Sequence, residues 1–153
     1  MKTWERWTFN LLALAVTLSG LVFFWAKYLL VNDDPFALVN HGWQGAAQAV
    51  HVIASPGLML MFGMLLNSHI MKKLGARQVQ NRASGNLALA AFLTMTATGY
   101  LLQVVTSESV LASLAVAHIG SGVGFAILYG VHLVVSVRLA RVQAARRLES
   151  EAA

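Results

Sequence analysis

Four histidines stand in two pairs inside the apolar part of this chain. His51 and His69 lie in one long apolar stretch, and His118 and His132 lie in another. A neutral imidazole is an axial ligand for haem iron, whereas an ionisable side chain is costly inside a bilayer and usually has a function there. The two pairs therefore predict non-covalent haem groups of the b type, each held by histidine side chains.

The spacing of these histidines predicts how they pair. His51 and His69 are 18 residues apart, so in an α-helix they share one face and are separated by roughly 27 Å. His118 and His132 are 14 residues apart, which corresponds to roughly 21 Å and about 40° of rotation. If both helices run in the same direction, His51 and His118 bind one haem, and His69 and His132 bind the other. Tilt, or a bend at Pro56, would absorb the difference of about 6 Å.

Composition places the chain among membrane proteins. Of its 153 residues 58% are hydrophobic and only 11% are charged, with a mean hydropathy of +0.64. Too few polar side chains are present to cover a soluble globule, and the length predicts a single domain, residues 1–153. The absence of cysteine excludes disulfides, thiolate zinc sites, iron–sulfur clusters held by this chain and covalent haem attachment.

Four apolar stretches predict four transmembrane helices, at about 8–31, 44–70, 85–105 and 110–136. Each reaches the roughly 20 residues that cross the hydrocarbon core of a bilayer. A spanning helix also satisfies its backbone hydrogen bonds internally. The predicted fold is therefore all-α, an integral membrane four-helix bundle, with a charged helical extension after Arg138.

Positive charge predicts the orientation of these helices. Ten of the eleven basic residues fall on one side of the four spans: Lys2, Arg6, Lys72, Lys73, Arg77, Arg82, Arg138, Arg141, Arg146 and Arg147. Lys27 lies toward the other side, together with Asp33, Asp34 and Glu108. The positive-inside rule then places both termini in the cytoplasm and the protein in a bacterial inner membrane. Because the basic residues cluster at span ends, the net charge of +5 does not indicate nucleic-acid binding.

Further candidates lie near the predicted haems. Arg82 is predicted to neutralise the propionates of the cytoplasmic haem, and Lys27 those of the periplasmic haem, through charge-assisted hydrogen bonds. A purely topogenic role is the alternative for both. His41 is assigned no ligand role: it is either solvated or close to a propionate, a partner or a quinone. Glycines near the histidines make room for a flat macrocycle or for helix packing: Gly57, Gly63, Gly120, Gly122, Gly124 and Gly130.

The segment from His118-Ile-Gly-Ser-Gly to Tyr129-Gly-Val-His132 resembles the fourth helix of di-haem membrane cytochromes b, such as the gamma subunits of formate dehydrogenase, hydrogenase and thiosulfate reductase. In that family two ligands at this same spacing serve both haems, and His51 matches the other ligand of the periplasmic haem. In the formate dehydrogenase type the remaining ligand lies on the first helix, which has no histidine here, so His69 is assigned by depth and facing. The resemblance implies electron transfer between the quinone pool and a periplasmic redox subunit.

The sequence thus predicts a membrane-embedded b-type cytochrome subunit with two haem b groups and with quinone as a further ligand. Its partners would be membrane lipid, quinone and a periplasmic redox protein, either a multihaem cytochrome c or an iron–sulfur subunit. No motif for nucleophilic, phosphoryl or hydrolytic chemistry is present, so any chemistry of its own is limited to quinone oxidation or reduction. Two alternatives stay open: a small transporter whose histidines handle a metal ion or protons, and a membrane anchor subunit without a cofactor.

Overall fold

The computed structural model describes residues 2–34, 36–37, 39–72 and 82–152, and these residues form four long α-helices and no strand. Helix α1 covers Thr3–Phe24, α2 covers Trp43–Leu65, α3 covers Arg82–Val104 and α4 covers Glu108–Ala152. Helices α1 and α2 each continue into a π-helical segment, Trp25–Leu29 and Leu66–Ile70. The prediction of four apolar helices is confirmed, and all four are long and apolar enough to cross a membrane.

Helix α1 begins earlier than predicted, and the last helix has the extension that the sequence predicts. Helix α1 begins at Thr3, where the backbone N–H of Lys2 donates to Oε2 of Glu5 at 2.8 Å. This side-chain contact caps the first turn and so allows an earlier start than the apolar pattern indicates. Helix α4 continues through the charged tail to Ala152, which confirms the predicted helical extension after Arg138.

The chain divides into two compact units, Met1–Ala76 and Arg77–Ala153. The first unit contains α1 and α2, called the first hairpin below, and the second contains α3 and α4, called the second hairpin. Residues 105–107 join α3 to α4, and the backbone N–H of Leu111 donates to the carbonyl oxygen of Ser107 at 2.8 Å. Such a short link requires the two helices to lie antiparallel and side by side.

Each hairpin buries a narrow face and exposes broad apolar faces. In α1 the buried residues Phe9, Ala13 and Val16 follow one another at steps of four and three residues, the spacing that places side chains on one side of a helix. The outward side chains are also apolar: Leu18 is 53% exposed and Ile53 is 77% exposed. A helix that is apolar on all sides is typical of a membrane span.

Aromatic rings form the core of the second hairpin. Phe92 and Phe125 are 2% and 4% exposed, and their rings meet edge to face with centroids 5.3 Å apart. The ring of Tyr129 stacks on Phe125 at 5.4 Å. Edge-to-face and offset stacked pairs at these distances are favourable arrangements of aromatic rings.

Candidate functional site

His51 lies against α1 in the first hairpin, with its ring over Gly20. A Cβ atom at Gly20 would lie 2.9 Å from both Cε1 and Nδ1 of the ring, so only glycine leaves room for the imidazole. The Nδ1 atom is 2.9 Å from the carbonyl oxygen of Val16. Because a carbonyl oxygen only accepts, Nδ1 carries the proton, and the lone pair of the neutral ring is on Nε2.

His118 repeats this arrangement in the second hairpin. Its Nδ1 donates to the carbonyl oxygen of Met95 at 2.9 Å. A Cβ atom at Gly99 would lie 2.9 Å from Cε1 and 3.3 Å from Nδ1. Gly99 follows Met95 by four positions, as the glycine follows the carbonyl acceptor in the first hairpin. His51 and His118 therefore have the same tautomer and contact the neighbouring helix in the same way.

A hydroxyl side chain precedes each of these glycines. Ser19 Oγ donates to the carbonyl oxygen of Ala15 at 2.7 Å and makes a longer contact with that of Val16 at 3.2 Å. Thr98 Oγ1 likewise donates to the carbonyl oxygen of Thr94 at 2.8 Å and contacts that of Met95 at 3.0 Å. Hydroxyl and imidazole therefore share one carbonyl acceptor, and Thr98 Oγ1 also lies 3.4 Å from Nδ1 of His118. We call this arrangement a histidine seat: a carbonyl at position n, a hydroxyl at n+3 and a glycine at n+4, with the histidine on the neighbouring helix.

His132 lies on a third hydroxyl–glycine pair. Its Nδ1 is 3.2 Å from Oγ of Ser84, and a Cβ atom at Gly85 would lie 3.3 Å from Cε1 and 3.5 Å from Nδ1. The sequence separation of Gly85 and Gly99 on α3 equals that of His118 and His132 on α4. Because antiparallel helices have the same rise per residue, these equal separations bring both histidines onto glycines.

The Phe92–Phe125 contact lies midway between the two histidines of the second hairpin. Position 92 is equally far along the chain from 85 and from 99, and position 125 is equally far from 118 and from 132. Each of these steps makes about two helical turns, so the contact between α3 and α4 has three levels. They are histidine on glycine, phenylalanine on phenylalanine, and histidine on glycine. We call this set of levels the contact seam.

The first hairpin has the same register but no histidine at its third level. The register that sets His51 on Gly20 also brings Leu58 to the level of Ala13, and both are buried. One further step of the same length along α2 reaches the third level, which is occupied by Leu65, 7% exposed.

His69 lies about one turn beyond Leu65, within the π-helical segment Leu66–Ile70, and is half-buried. An i→i+5 turn holds more residues than an α turn. The α-helical periodicity that predicts a shared face for His51 and His69 therefore does not extend through this segment.

The two predicted propionate partners lie at helix ends. Lys27 belongs to the π-helical segment after α1, and its Nζ lies 5.3 Å and 5.5 Å from the ring centroids of Tyr28 and Phe23. These are cation–π distances. Arg82 is the exposed first residue of α3, three positions before Gly85. The propionate role of both side chains stays a prediction.

His41 differs from the seated histidines in its hydrogen bond. The backbone N–H of Trp43 donates to Nδ1 of His41 at 3.2 Å, so Nδ1 is an acceptor, and the proton of the neutral ring is on Nε2. The ring centroid also lies 5.6 Å from that of Trp25. His41 thus connects the beginning of α2 with the π-helical segment after α1.

Within the residues that the structure describes, no group of three or more His, Cys, Asp or Glu side chains is arranged to hold a metal ion. The predicted haem sites need only two imidazoles each. The two histidines of either hairpin lie roughly 20 Å or more apart along one helix or its continuation, too far for both to bind one iron. Each predicted pair therefore takes one histidine from each hairpin, and this pairing stays a prediction.

The glycines under the histidine rings are not those that the sequence singles out. A Cβ atom at Gly57 would lie 3.5 Å from Leu12, and one at Gly122 would lie 3.6 Å from Met95. Among the described residues, nothing lies within 4 Å of a Cβ atom at Gly63, Gly120, Gly124 or Gly130. The signal that points to the other set is the hydroxyl residue immediately before glycine in an apolar helix, at Ser19-Gly20, Ser84-Gly85 and Thr98-Gly99.

Four apolar helices and three histidines on hydroxyl–glycine pairs define a helical protein whose half-buried imidazoles contact the neighbouring helix of the same hairpin. Comparison with known proteins finds no matching family model, no similar curated protein and no similar solved structure.

Proposed function

We propose that this chain is a membrane-embedded b-type cytochrome subunit that transfers electrons between the quinone pool and a periplasmic redox protein. Two non-covalent haem b groups would be held at two depths, one by His51 and His118 and the other by His69 and His132. The redox partner would be a multihaem cytochrome c or an iron–sulfur subunit.

The observation that carries this proposal is the matched pair of hydrogen bonds from Nδ1 of His51 and His118 to the carbonyl oxygens of Val16 and Met95, each 2.9 Å long. A histidine that binds a metal almost always donates its other ring N–H to a carbonyl, a carboxylate or water, and this bond fixes the tautomer and ring orientation. In both hairpins Nε2 would be the ligand atom. The same bond also makes the imidazole a more basic ligand.

The set of donor atoms favours haem over a bare metal ion. Zinc and copper sites use three or four protein ligands, and the described part of the chain contains no group of that size. Haem iron needs only one or two axial ligands from the protein, because the porphyrin nitrogens complete its coordination. Pairs of imidazoles therefore suit haem better than zinc or copper.

The chain's own contribution is to hold each imidazole at a fixed depth. When bound, haem supplies one-electron transfer, and two imidazoles on its iron leave no position for oxygen. The seam separates His118 from His132 by roughly 21 Å along α4, which provides two relay points across the apolar span. This arrangement supports electron transfer across the membrane.

The π-helical segment Leu66–Ile70 brings His69 closer to the depth proposed for His132, although it also ends the face that His69 would share with His51. More residues separate His51 from His69 in the first hairpin than separate His118 from His132 in the second. A π-helical turn is wider and advances less per residue than an α turn, so it shortens the longer of the two separations. The difference between the His51–His69 and His118–His132 separations along their helices is thereby smaller than two ideal α-helices would give.

In the proposed assembly the two hairpins form a four-helix bundle in a bacterial inner membrane, with both termini in the cytoplasm. The basic residues at the ends of the apolar helices support this orientation. Lys27 would then lie at the periplasmic side, near the haem of His51 and His118. Arg82 would lie at the cytoplasmic side, near the haem of His69 and His132. Each would neutralise haem propionates.

Absorption spectroscopy tests the proposal directly. The full chain, purified from membranes in detergent, should give reduced haem bands and close to two haems per chain. His51→Ala and His118→Ala should each remove the same haem, because both variants take a ligand from one iron. His41→Ala is the matched control and should retain both haems. Nδ1 of His41 accepts from the Trp43 N–H, and Nε2 carries the proton, so the neutral ring is not set up as an iron ligand.

Three outcomes would contradict the proposal. A colourless preparation that retains copper or zinc would identify a metal-handling transporter. A colourless preparation without bound metal, even when haem is supplied during expression, would identify a cofactor-free anchor subunit. Loss of different haems in His51→Ala and His118→Ala would show that these residues do not share one iron.

A further inference from the structure

We propose that the basic end of helix α4 binds the phosphate groups of anionic phospholipids at the surface of the membrane that this helix crosses. The segment consists of residues 138–150 and is called the arginine tail below. The inference goes beyond the proposed function, because it needs only a membrane-spanning α4 and neither haem nor quinone. It also holds for either orientation of the chain.

Helix α4 continues far beyond the end of its neighbour α3. The two helices contain 45 and 23 residues. In the register that places His132 on Gly85, Arg82, the first residue of α3, is level with position 135 of α4. Residues 136–152 therefore extend roughly 25 Å past α3 as a single helix. They begin where the apolar stretch of α4 ends, so in a membrane this part of the helix leaves the bilayer through the headgroup layer.

Four arginines give the tail a strong positive charge: Arg138, Arg141, Arg146 and Arg147. All four are exposed, as is every residue from Ala140 to Ser150. No acidic residue lies among the arginines, since Glu149 and Glu151 follow the last of them. Among the residues that the structure describes, none is an ion-pair or hydrogen-bond partner of the four guanidinium groups. The tail therefore offers four positive groups to a partner of negative charge.

The arginines are distributed around the helix and do not share one face. At about 100° per residue, Arg141 lies about 60° from Arg138, whereas Arg146 and Arg147 lie about 80° and about 180° from it. A protein partner would contact one side of the helix and leave arginines on the other side unpaired. Headgroups surround a helix that leaves a bilayer and contact it on every side. The distribution therefore favours a lipid surface over an acidic protein.

The direction of α4 brings the arginine side chains toward the headgroups. Side chains of an α-helix lean toward its N-terminus, and the membrane-spanning part of α4 lies on that side of the tail. Arg147 is roughly 14 Å beyond Arg138 along the helix, and this lean shortens the distance of its guanidinium group from the surface. A guanidinium group donates two parallel hydrogen bonds to a phosphate. Each basic residue near an anionic surface strengthens the attraction about fivefold.

Hydrogen exchange followed by mass spectrometry tests the inference. The full chain is reconstituted in nanodiscs of phosphatidylcholine alone, or of equal amounts of phosphatidylcholine and phosphatidylglycerol. We expect the backbone amides of residues 139–150 to exchange at least about fivefold more slowly in the anionic discs, because a helix held at a surface opens less often. Amides within the span, such as those of residues 119–130, should exchange equally in both discs. High salt should remove the difference in the tail.

A triple variant, Arg141→Gln with Arg146→Gln and Arg147→Gln, shows whether the arginines are responsible. Glutamine has nearly the helix propensity of arginine but no charge. The difference between the two discs should therefore fall below about twofold in the triple variant. Glu149→Gln is the matched control: it changes a charge in the same tail without removing a guanidinium group, and should keep the full difference.

Two results would overturn the inference. Equal exchange of the tail in both discs would leave an acidic protein surface as the partner of this helix. A difference that persists in the triple variant would come from the anionic surface itself and not from the arginines. The haem content of the same preparations is a separate measurement: a haem-free chain whose tail is slowed in the anionic discs would refute the proposed function and support this inference.

Discussion

Phe92 and Phe125 meet edge to face midway along the second hairpin between His118 and His132, with ring centroids 5.3 Å apart. Both rings are almost completely buried, so this contact sets the distance and register between α3 and α4. A shift of register would move His118 and His132 off their glycines together, because all three levels lie on the same two helices.

Phe125→Ala should therefore destabilise the second hairpin by about 3 kcal/mol, the usual cost of replacing a buried phenylalanine with alanine. Unfolding of the detergent-solubilised protein, followed by circular dichroism, measures the change. Phe36→Ala is the matched control: Phe36 is 90% exposed, so its replacement should change stability by no more than about 0.5 kcal/mol. Equal losses in both variants would contradict a packing role for this ring pair.

Gly20→Ala and Gly99→Ala should each displace a histidine ring, since the new Cβ would lie 2.9 Å from ring atoms. Alanine in a helix interior normally stabilises the helix by about 1 kcal/mol relative to glycine. A loss of bound haem in these variants would therefore come from the clash between the new Cβ and the histidine ring. The haem-to-protein ratio measures it. Gly45→Ala, where no described atom lies within 4 Å, should keep the full ratio; a loss there as large as in Gly20→Ala would speak against the seat.

The histidine tautomers should be fixed before any haem binds. In haem-free protein the ¹⁵N resonances of His51 and His118 should report a proton on Nδ1, since both donate to carbonyl oxygens. His41 should report a proton on Nε2, because its Nδ1 accepts a backbone N–H. The measurement is a ¹⁵N NMR spectrum of histidine-labelled protein above the imidazole titration range. Protons on Nε2 in His51 and His118 would exclude the hydrogen bonds on which the proposed function depends.

If the chain binds haem as proposed, removal of positive charge near the two proposed haems should lower their midpoint potentials. Reduction adds one negative charge to a haem, and a nearby cation stabilises that charge. Arg82→Gln should lower the potential of the haem bound by His132, and Lys27→Gln that of the haem bound by His51. Optical redox titration measures both potentials. Arg146→Gln, in the distal part of the helical tail, should leave them unchanged; an equal drop in that variant would point to a general charge effect.

The orientation of the chain can be read with single cysteines, because the protein has none of its own. Phe36→Cys, in the loop between α1 and α2, should react with a membrane-impermeant maleimide added to the periplasmic side. Ser150→Cys, near the end of α4, should react only after the membrane is permeabilised. Mass spectrometry of the purified variants counts the labels, and the reverse pattern would invert the proposed topology.

The predicted apolar helices agree with the observed ones because length and hydropathy are properties of contiguous residues. Each predicted span coincides with a helix, and the charged tail after Arg138 continues α4 as predicted. The choice of His118 and His132 as candidate ligands likewise needed only their spacing along the chain. Helix positions can therefore be read from the amino-acid order alone, whereas the ligand role of the histidines stays a prediction.

The atoms that each imidazole contacts depend instead on how the helices pack. The carbonyl oxygens of Val16 and Met95 cannot be recognised in the sequence as acceptors, since every residue has a carbonyl. Gly20 and Gly99 become important only because histidine rings of the neighbouring helix pack on them. These contacts depend on the register between two antiparallel helices. That register is set by packing across the hairpin, as at Phe92 and Phe125, and residues distant in sequence determine it together.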